Sequence, residues 1–197
     1  MRIIAGSARG RKILSPLNEG RNTKTGEVKA TRPTLDRVKE AMFSIIAHKI
    51  EGANTLDLFA GTGSLGLEAA SRGAKQVYLV DSFRETYDLL VENIANLGFN
   101  KECTSLFMDY HEALRKLSLK GEVFDLIFID PPYLNEMIPT SIKFIHAQGM
   151  LSGSGVIVTK VDSRETPYQG IENLKIVLER RYGNTTLVFY QYETEEE

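Results

Sequence analysis

The chain has 197 residues, of which 42% are hydrophobic and 25% are charged, and this composition is typical of one soluble globular domain. Its single cysteine, Cys103, excludes internal disulfide bonds, and no apolar run is long enough to cross a membrane. The three histidines are scattered and Cys103 has no partner at ligand spacing, so we expect no metal site. A reduced thiol and the lack of a membrane span predict a cytoplasmic protein.

The net charge of −2 is unevenly distributed along the chain. Residues 1–39 hold ten Lys and Arg against three acidic residues, which leaves a negative balance on the remainder. Two apolar pairs flank the segment 6–10, a pattern that predicts a hairpin with basic side chains at its tip. We expect this basic end to contact a polyanion and to neutralise its charges, and the alternative is a solvated loop without a partner. The candidate residues for such nucleic-acid binding are Arg9, Arg11, Lys12 and Arg32.

The sequence predicts three parts in chain order. Residues 1–33 form the basic hairpin and loop, residues 34–192 form the catalytic domain, and residues 193–197 form an acidic tail. The catalytic part begins with apolar residues at helical spacing between Leu35 and Ile46, which predict a helix with one buried face.

A glycine-rich loop follows the first predicted strand, residues 55–59. The string DLFAGTGSLG at residues 57–66 places Gly61 and Gly63 between that strand and a helix ending near Gly73. Such a loop lets a ligand approach the backbone closely, but it fits a dinucleotide site equally well. Asp81 ends the next predicted strand, residues 76–80, where its carboxylate would accept hydrogen bonds from ribose hydroxyls. The loop and the acid together predict a cofactor that contains a nucleoside.

Two further elements extend the alternation of strands and helices. A stripe from Phe83 to Leu97 predicts a helix closed by Gly98, and residues 106–108 predict a third strand with Asp109 at its end. This alternation is typical of a doubly wound, mostly parallel α/β sheet, in which ligands bind beyond the carboxyl ends of the strands.

The most informative string is Asp130-Pro131-Pro132-Tyr133, which follows an apolar strand at residues 124–129. The prolines cannot continue the sheet, so they fix the Asp130 carboxylate, the Pro131 carbonyl and the Tyr133 ring rigidly at the strand end. Two acceptors beside a stacking ring suit a planar group that carries an NH2, such as a nucleobase edge. They also stabilise the positive charge that develops when the amine nitrogen attacks a methyl donor.

The end of the chain predicts an antiparallel addition to the sheet. Residues 156–160 predict a fifth strand, and the runs 174–181 and 185–192 are separated by Tyr182-Gly183-Asn184, which is typical of a hairpin turn. A parallel sheet that ends in such a hairpin is the Rossmann-like architecture of class I methyltransferases rather than that of dinucleotide-binding proteins.

With these features the chain resembles the RsmD-like family of 16S ribosomal RNA guanine-N2 methyltransferases, nearly end to end. The polar segment 18–30 is longer than the family pattern. The resemblance rests on the strings RIIAG at 2–6, RGR at 9–11, TRPT at 31–34, DLFAGTGS at 57–64, DPPY at 130–133 and RYG at 181–183.

This resemblance implies S-adenosylmethionine as cofactor and an assembled or partly assembled small ribosomal subunit as substrate. The implied catalytic residues are Asp130, Pro131, Pro132 and Tyr133, and the implied cofactor-binding residues are Asp57, Phe59, Gly61, Gly63, Asp81, Asp109 and Tyr110. Within the enzyme class, methylation of an adenine N6 amine or of a protein glutamine stays open. More distant alternatives are an NAD-dependent oxidoreductase and an RNA-binding module without catalysis.

Overall fold

The structure is a computed structural model that describes residues 1–16, 32–132 and 136–193, with only the backbone for residues 32–35. The predicted segment 18–30, Tyr133 and most of the acidic tail lie outside this range. A short 3₁₀ helix, Ala47–Lys49, follows the first α-helix. The helices are α1 (Arg32–Ile45), α2 (Gly66–Ser71), α3 (Arg84–Leu97), α4 (Tyr110–Leu119) and α5 (Met137–Ala147). The strands are β1 (Asn54–Asp57), β2 (Gln76–Asp81), β3 (Cys103–Phe107), β4 (Phe124–Ile129), β5 (Leu151–Asp162), β6 (Gly170–Ile171), β7 (Leu174–Tyr182) and β8 (Thr185–Tyr192).

The eight strands form one sheet in the order β3-β2-β1-β4-β5-β8-β7-β6. The five strands from β3 to β5 are parallel, whereas β8, β7 and β6 join as antiparallel neighbours. The order reverses between β1 and β4, and in open α/β sheets the crevice at such a reversal is where ligands bind. The predicted fold class, a mostly parallel sheet that ends in an antiparallel hairpin, is confirmed.

Helices cover both faces of the sheet, and β4 shows why its sequence is apolar throughout. Leu126 and Phe128 point into the core beneath α1, α2 and α3, while Phe124, Ile127 and Ile129 point into the core beneath α4 and α5. All five side chains are fully buried. A strand buried on both faces needs this unbroken apolar pattern. None of the described helices is long and apolar enough to cross a bilayer.

The N-terminal hairpin is packed into the first of these cores. Arg2 and Lys12 face each other in an antiparallel bridge, and the apolar side chains of the segment, Ile3, Ala8 and Ile13, are buried. Glu68 of α2 accepts hydrogen bonds from the backbone N–H groups of Ile4 and Ala5 at 2.8 and 3.0 Å. The described part of segment 1–33 therefore shares a core with the sheet, and its treatment as a separate domain stays a prediction.

The tip of this hairpin lies at the edge where the parallel strands begin. The Ser7 N–H donates to the carbonyl of Ser71, the last residue of α2, at 2.7 Å. The Arg11 guanidinium donates to the carbonyls of Asn96 and Leu97 at the end of α3. Helices between parallel strands run back against them, so these helix ends lie away from the carboxyl edge. The 14-residue α3 alone spans about 21 Å.

Several predicted boundaries are confirmed by the structure, and others differ. Strand β4 covers the predicted residues 124–129, and β8 covers 185–192. Strand β3 begins at Cys103 rather than at Leu106, because Val77 to Asp81 of β2 pair with Cys103 to Phe107. Phe83 was predicted in the buried stripe of α3, and this was wrong: the side chain lies just before the helix and is 60% exposed.

Candidate active site

Four aspartates lie at the carboxyl edge of neighbouring parallel strands, as the sequence predicts. Asp57 and Asp81 are the last residues of β1 and β2, Asp130 directly follows β4, and Asp109 lies two residues beyond β3. Asp109 also caps α4, because its side chain accepts from the N–H of His111 at 2.8 Å. The sheet brings these carboxylates together although they are separated by up to 73 residues of sequence.

The glycine-rich loop is held in place by two of these acids. The Asp81 carboxylate accepts from the Gly61 N–H at 2.8 Å through one oxygen and from the Phe83 N–H and the Thr86 hydroxyl through the other. Gly61 and Gly63 have φ values of 55° and 91°, which favour glycine. A Cβ on Gly61 would meet nothing within 4 Å, so open space faces the loop at that point.

Asp57 lies behind the loop, almost completely buried. Its Oδ2 accepts from the Gly66 N–H at 2.8 Å, and its Oδ1 has no partner among the described residues. Burial raises the pKa of Asp57 to about 7, and the negative charges of Asp130 and Asp81 add to this, while the N–H of Gly66 and, more weakly, that of Phe59 oppose it. A buried carboxylate oxygen without a donor is what a cationic group bound at this loop, directly or through water, would satisfy.

A first cavity of about 340 Å³ lies over the ends of β1, β2 and β3, and we call it the β1–β3 cavity. Its lining is largely apolar and includes a few polar residues, among them Asp81 and Asp109. The rings of Phe59 and Tyr110 pack against each other there, with centroids 5.1 Å apart. An apolar cleft with a few placed acceptors is the form that small-molecule and cofactor sites take. The remaining residues that line it are Leu58, Val80, Ser82, Phe83, Thr86, Met108, Asp130, Pro132 and Met137.

Two more cavities adjoin Asp130. The α1 cavity, of about 310 Å³, lies between α1 and the glycine-rich loop and includes Met1, Lys39 and Ser64 in its wall. The hairpin cavity, of about 360 Å³, lies between Pro131–Pro132 and the tip of the β7–β8 hairpin. Asp130 lines all three cavities. It therefore stands where a cofactor in one cavity and a substrate in another would meet.

Asp130 has a partner that the sequence did not reveal. Lys160 of β5 donates a hydrogen bond to Asp130 Oδ2, and the side chains are 34% and 26% exposed. Asp130 Oδ1 accepts no hydrogen bond from the described residues and is available to a substrate. The carboxylate is thus held by one oxygen and open at the other.

The structure places some predicted site residues together and others apart. Phe59, Gly61, Asp81, Asp109, Tyr110, Asp130 and Pro132 line the β1–β3 cavity, and Pro131 lines the hairpin cavity. Asp57 lies behind the loop rather than in a cavity wall, and Arg9 and Arg11 lie away from this edge. Tyr133, which was predicted to stack on the base, lies outside the described residues. Among the described residues, no group of three metal-ligating side chains comes together.

Sequence reasoning missed several residues that line these cavities, among them Phe83, Met108, Lys160 and Glu165. The position of Phe83 could have been predicted. It follows Asp81, the last residue of β2, by two positions, and residues just beyond the carboxyl end of a parallel strand lie at the edge where ligands bind. Met108, Lys160 and Glu165 reach the cavities through strand pairing or through a turn, and local sequence patterns do not predict such contacts.

Comparison with known proteins shows the family of the chain. A family model described as Conserved hypothetical protein 95 matches residues 1–191. A Bacillus subtilis protein named "Putative rRNA methyltransferase YlbH" is 31% identical over 97% of this chain and 98% of its own length. The Escherichia coli protein named "Ribosomal RNA small subunit methyltransferase D" is 31% identical over 100% of this chain and 92% of its own.

A solved structure shares the whole fold. "Putative methyltransferase yhhF from Escherichia coli" superposes with a TM-score of 0.80 at 28% identity and covers 99% of both chains. Family match, sequence identity and fold agree over nearly the full length of the chain. The chain therefore belongs to the family described as Conserved hypothetical protein 95, the RsmD-like methyltransferase family that its N-terminal strings indicated together with the glycine-rich loop and the Asp-Pro-Pro-Tyr string.

Proposed function

We propose that this protein is an S-adenosylmethionine-dependent methyltransferase of the exocyclic N2 amine of a guanine in 16S ribosomal RNA. The observation that carries the proposal is the position of Asp130, which lines three adjoining cavities and keeps one carboxylate oxygen without a partner among the described residues. The relatives named for methylation of small-subunit ribosomal RNA support the substrate class.

The β1–β3 cavity fits the adenosine part of the cofactor. Asp81 would accept from the ribose hydroxyls, Asp109 and the Tyr110 backbone would bind the adenine amine, and Phe83 would cover the adenine ring. The methionine part would follow the open space at Gly61 toward the α1 cavity. Asp57, behind the loop, would orient its amino group directly or through water. When bound, this cofactor supplies a methyl group already activated by its positive sulfur, so the protein needs no metal or nucleophile of its own.

The chain's own residues then prepare the amine. A guanine N2 nitrogen is flattened by conjugation, and its lone pair is poorly available. Asp130 Oδ1 and the Pro131 carbonyl would accept its two hydrogens, which favours a pyramidal nitrogen and stabilises the charge that develops on it. Guanine N2 is too weak an acid for Asp130 to deprotonate first, so the carboxylate accepts a hydrogen bond and takes the proton after transfer. Pro132 locks the turn, and Tyr133 would stack on the base.

The substrate must present an accessible guanine. Helical RNA hides its base edges, so the target has to be unstacked or flipped into the hairpin cavity. We infer that an assembled or partly assembled small subunit in the cytoplasm supplies this geometry. Basic side chains would hold the RNA backbone, with Arg9, Lys12 and Arg32 contributing from the N-terminal part of the chain.

The deciding experiment maps modified nucleotides of ribosomal RNA by mass spectrometry in cells with and without the gene. We expect one N2-methylguanine in 16S RNA to disappear with the gene and to return with the wild-type protein. Purified protein should restore the modification on small subunits from the deletion strain. Loss of an N6-methyladenine, or of a methylated glutamine in a protein, would instead favour the alternatives within this class.

A further inference from the structure

The hairpin cavity contains an acidic side chain that the mechanism above does not use. Glu165 lies in the turn after β5, where its N–H donates to the Asp162 carbonyl at 2.9 Å, and it lines the same cavity as Asp130. Its Oε2 is buried and accepts no hydrogen bond from the described residues. A buried acceptor without a donor is costly, so this position is suited to a ligand that brings an N–H group.

Guanine brings such a group at the right place on its edge. Its N1–H stands next to the N2 amine, so two neighbouring positions both donate hydrogen bonds. In adenine the ring nitrogen beside the exocyclic amine carries a lone pair and no hydrogen. A carboxylate would therefore attract the guanine edge and repel the adenine edge, and bases flipped into enzymes are read on this edge.

We propose that Glu165 is a specificity-determining residue, which accepts a hydrogen bond from guanine N1–H while Asp130 Oδ1 and the Pro131 carbonyl bind the N2 amine. This inference rests on the proposed function, and in it the Glu165 carboxylate is the group that selects guanine over adenine. Three carboxylates line this cavity. Asp162 pairs with Arg164, so Asp130 and Glu165 are the two that suit two adjacent donors on one base. Lys160 holds the second oxygen of Asp130 and offsets part of the negative charge that these acids bring together.

The test uses full-length enzyme and small subunits from the deletion strain. Glu165→Ala should lower kcat/KM roughly 10- to 100-fold, the effect of losing one hydrogen bond to a charged group. Glu165→Gln keeps the shape and one acceptor, so it should lie between Ala and wild type. S-adenosylmethionine affinity, measured by calorimetry, should not change. Glu179→Gln is the matched control, because Glu179 is exposed on β7 and does not line the cavity.

A second substrate isolates the contact. Subunits reconstituted with 2-aminopurine at the mapped guanine retain the exocyclic amine but lack N1–H. Wild type should lose at least as much activity on this substrate as Glu165→Ala loses on guanine, because the ring nitrogen now presents a lone pair to the carboxylate. Glu165→Ala itself should lose little further activity when 2-aminopurine replaces guanine. Fully additive losses, or full activity of Glu165→Ala on guanine, would overturn the role of Glu165. A wild-type enzyme that methylates no guanine in the subunit would instead refute the proposed function.

Discussion

Lys160 of β5 donates a hydrogen bond to Oδ2 of Asp130, the first residue after β4. The pairing follows from strand register, because Ile129 pairs with Thr159 in the parallel β4–β5 ladder, and Asp130 and Lys160 are the next residues along their chains. A cation thus holds the acid of the Asp-Pro-Pro-Tyr string in one orientation before any substrate arrives.

Replacing Asp130 should affect the chemical step more than binding. Asp130→Asn retains the shape but offers a neutral acceptor, so single-turnover rates on small subunits should fall by a factor on the order of 10²–10³. The single-turnover rate of Asp130→Ala should fall by at least the same factor. Calorimetry should find S-adenosylmethionine affinity close to that of the wild type in both variants. If Asp130→Ala kept full activity, the carboxylate would have no part in the mechanism.

Replacing Lys160 should reduce kcat with little effect on KM for the subunit. Lys160→Met removes the donor that orients Asp130, and we expect a loss of roughly tenfold, the worth of about 1.4 kcal/mol in the transition state. Lys160→Arg retains a charged donor and should recover most of the rate. A rise in KM alone, with kcat unchanged, would mean that Lys160 contacts RNA phosphate instead of positioning Asp130.

The contrast between Asp130 and Lys160 shows what could be predicted from the sequence. The position of Asp130 could be predicted, because an apolar strand precedes it and two prolines that end the strand follow it. Its place at the carboxyl edge of the sheet follows from the alternation of strands and helices. Lys160 lies 30 residues away and meets Asp130 only through the β4–β5 register. The contacts of Arg11 could not be predicted from the sequence either, because they depend on how the N-terminal hairpin packs against the end of α3.

Phe83 should contribute to cofactor affinity. The ring is 60% exposed and lines the β1–β3 cavity, so a bound adenine would cover it. Stacking of a base on an aromatic ring is worth ~1–3 kcal/mol, and Phe83→Ala should therefore weaken S-adenosylmethionine binding roughly five- to hundredfold in calorimetry. Phe107→Ala is the matched control, since Phe107 is 44% exposed but lies outside the cavity. Equal affinities in the two variants would remove Phe83 from the site.

Asp57 should make stability depend on pH. Its pKa is about 7 in the folded protein, above the ordinary value of 3.8, so the folded state binds the proton more tightly than the unfolded state. Stability from this group is present below about pH 4 and is lost as pH rises through 7. The difference between these two pKa values corresponds to a loss of about 4 kcal/mol in the free energy of unfolding, at 1.36 kcal/mol per pKa unit.

Asp57→Asn retains an acceptor for the Gly66 N–H and cannot ionise. In urea denaturation, the free energy of unfolding of this variant relative to wild type should rise between pH 4 and 7 and stay level above pH 7. A constant difference between wild type and Asp57→Asn across that range would contradict the raised pKa.

Arg11 should matter for stability as well as for RNA. Its guanidinium binds the carbonyls of Asn96 and Leu97, and a cation at a helix C-terminus stabilises the helix. A joint replacement with Arg9 and Lys12 would therefore mix unfolding with lost RNA contacts. Arg11→Ala alone should lower the melting temperature, and the double variant of Arg9 and Lys12 should leave it unchanged.

RNA binding should depend on two separate surfaces. Arg9 and Lys12 are exposed on the N-terminal hairpin, whereas Arg180 and Arg181 are exposed beside the β7–β8 turn at the carboxyl edge that holds the active site. The RNA association constant falls as salt concentration rises, with a slope set by the number of phosphates contacted. Each double replacement by Ala should reduce the size of that slope by the contribution of about two phosphate contacts, and cofactor affinity should not change. Because Arg180 and Arg181 stand near the hairpin cavity, their loss should also lower single-turnover rates at saturating RNA, whereas loss of Arg9 and Lys12 should affect binding alone. If the salt slope of the Arg9 and Lys12 variant equals that of wild type, the N-terminal hairpin does not contact the RNA.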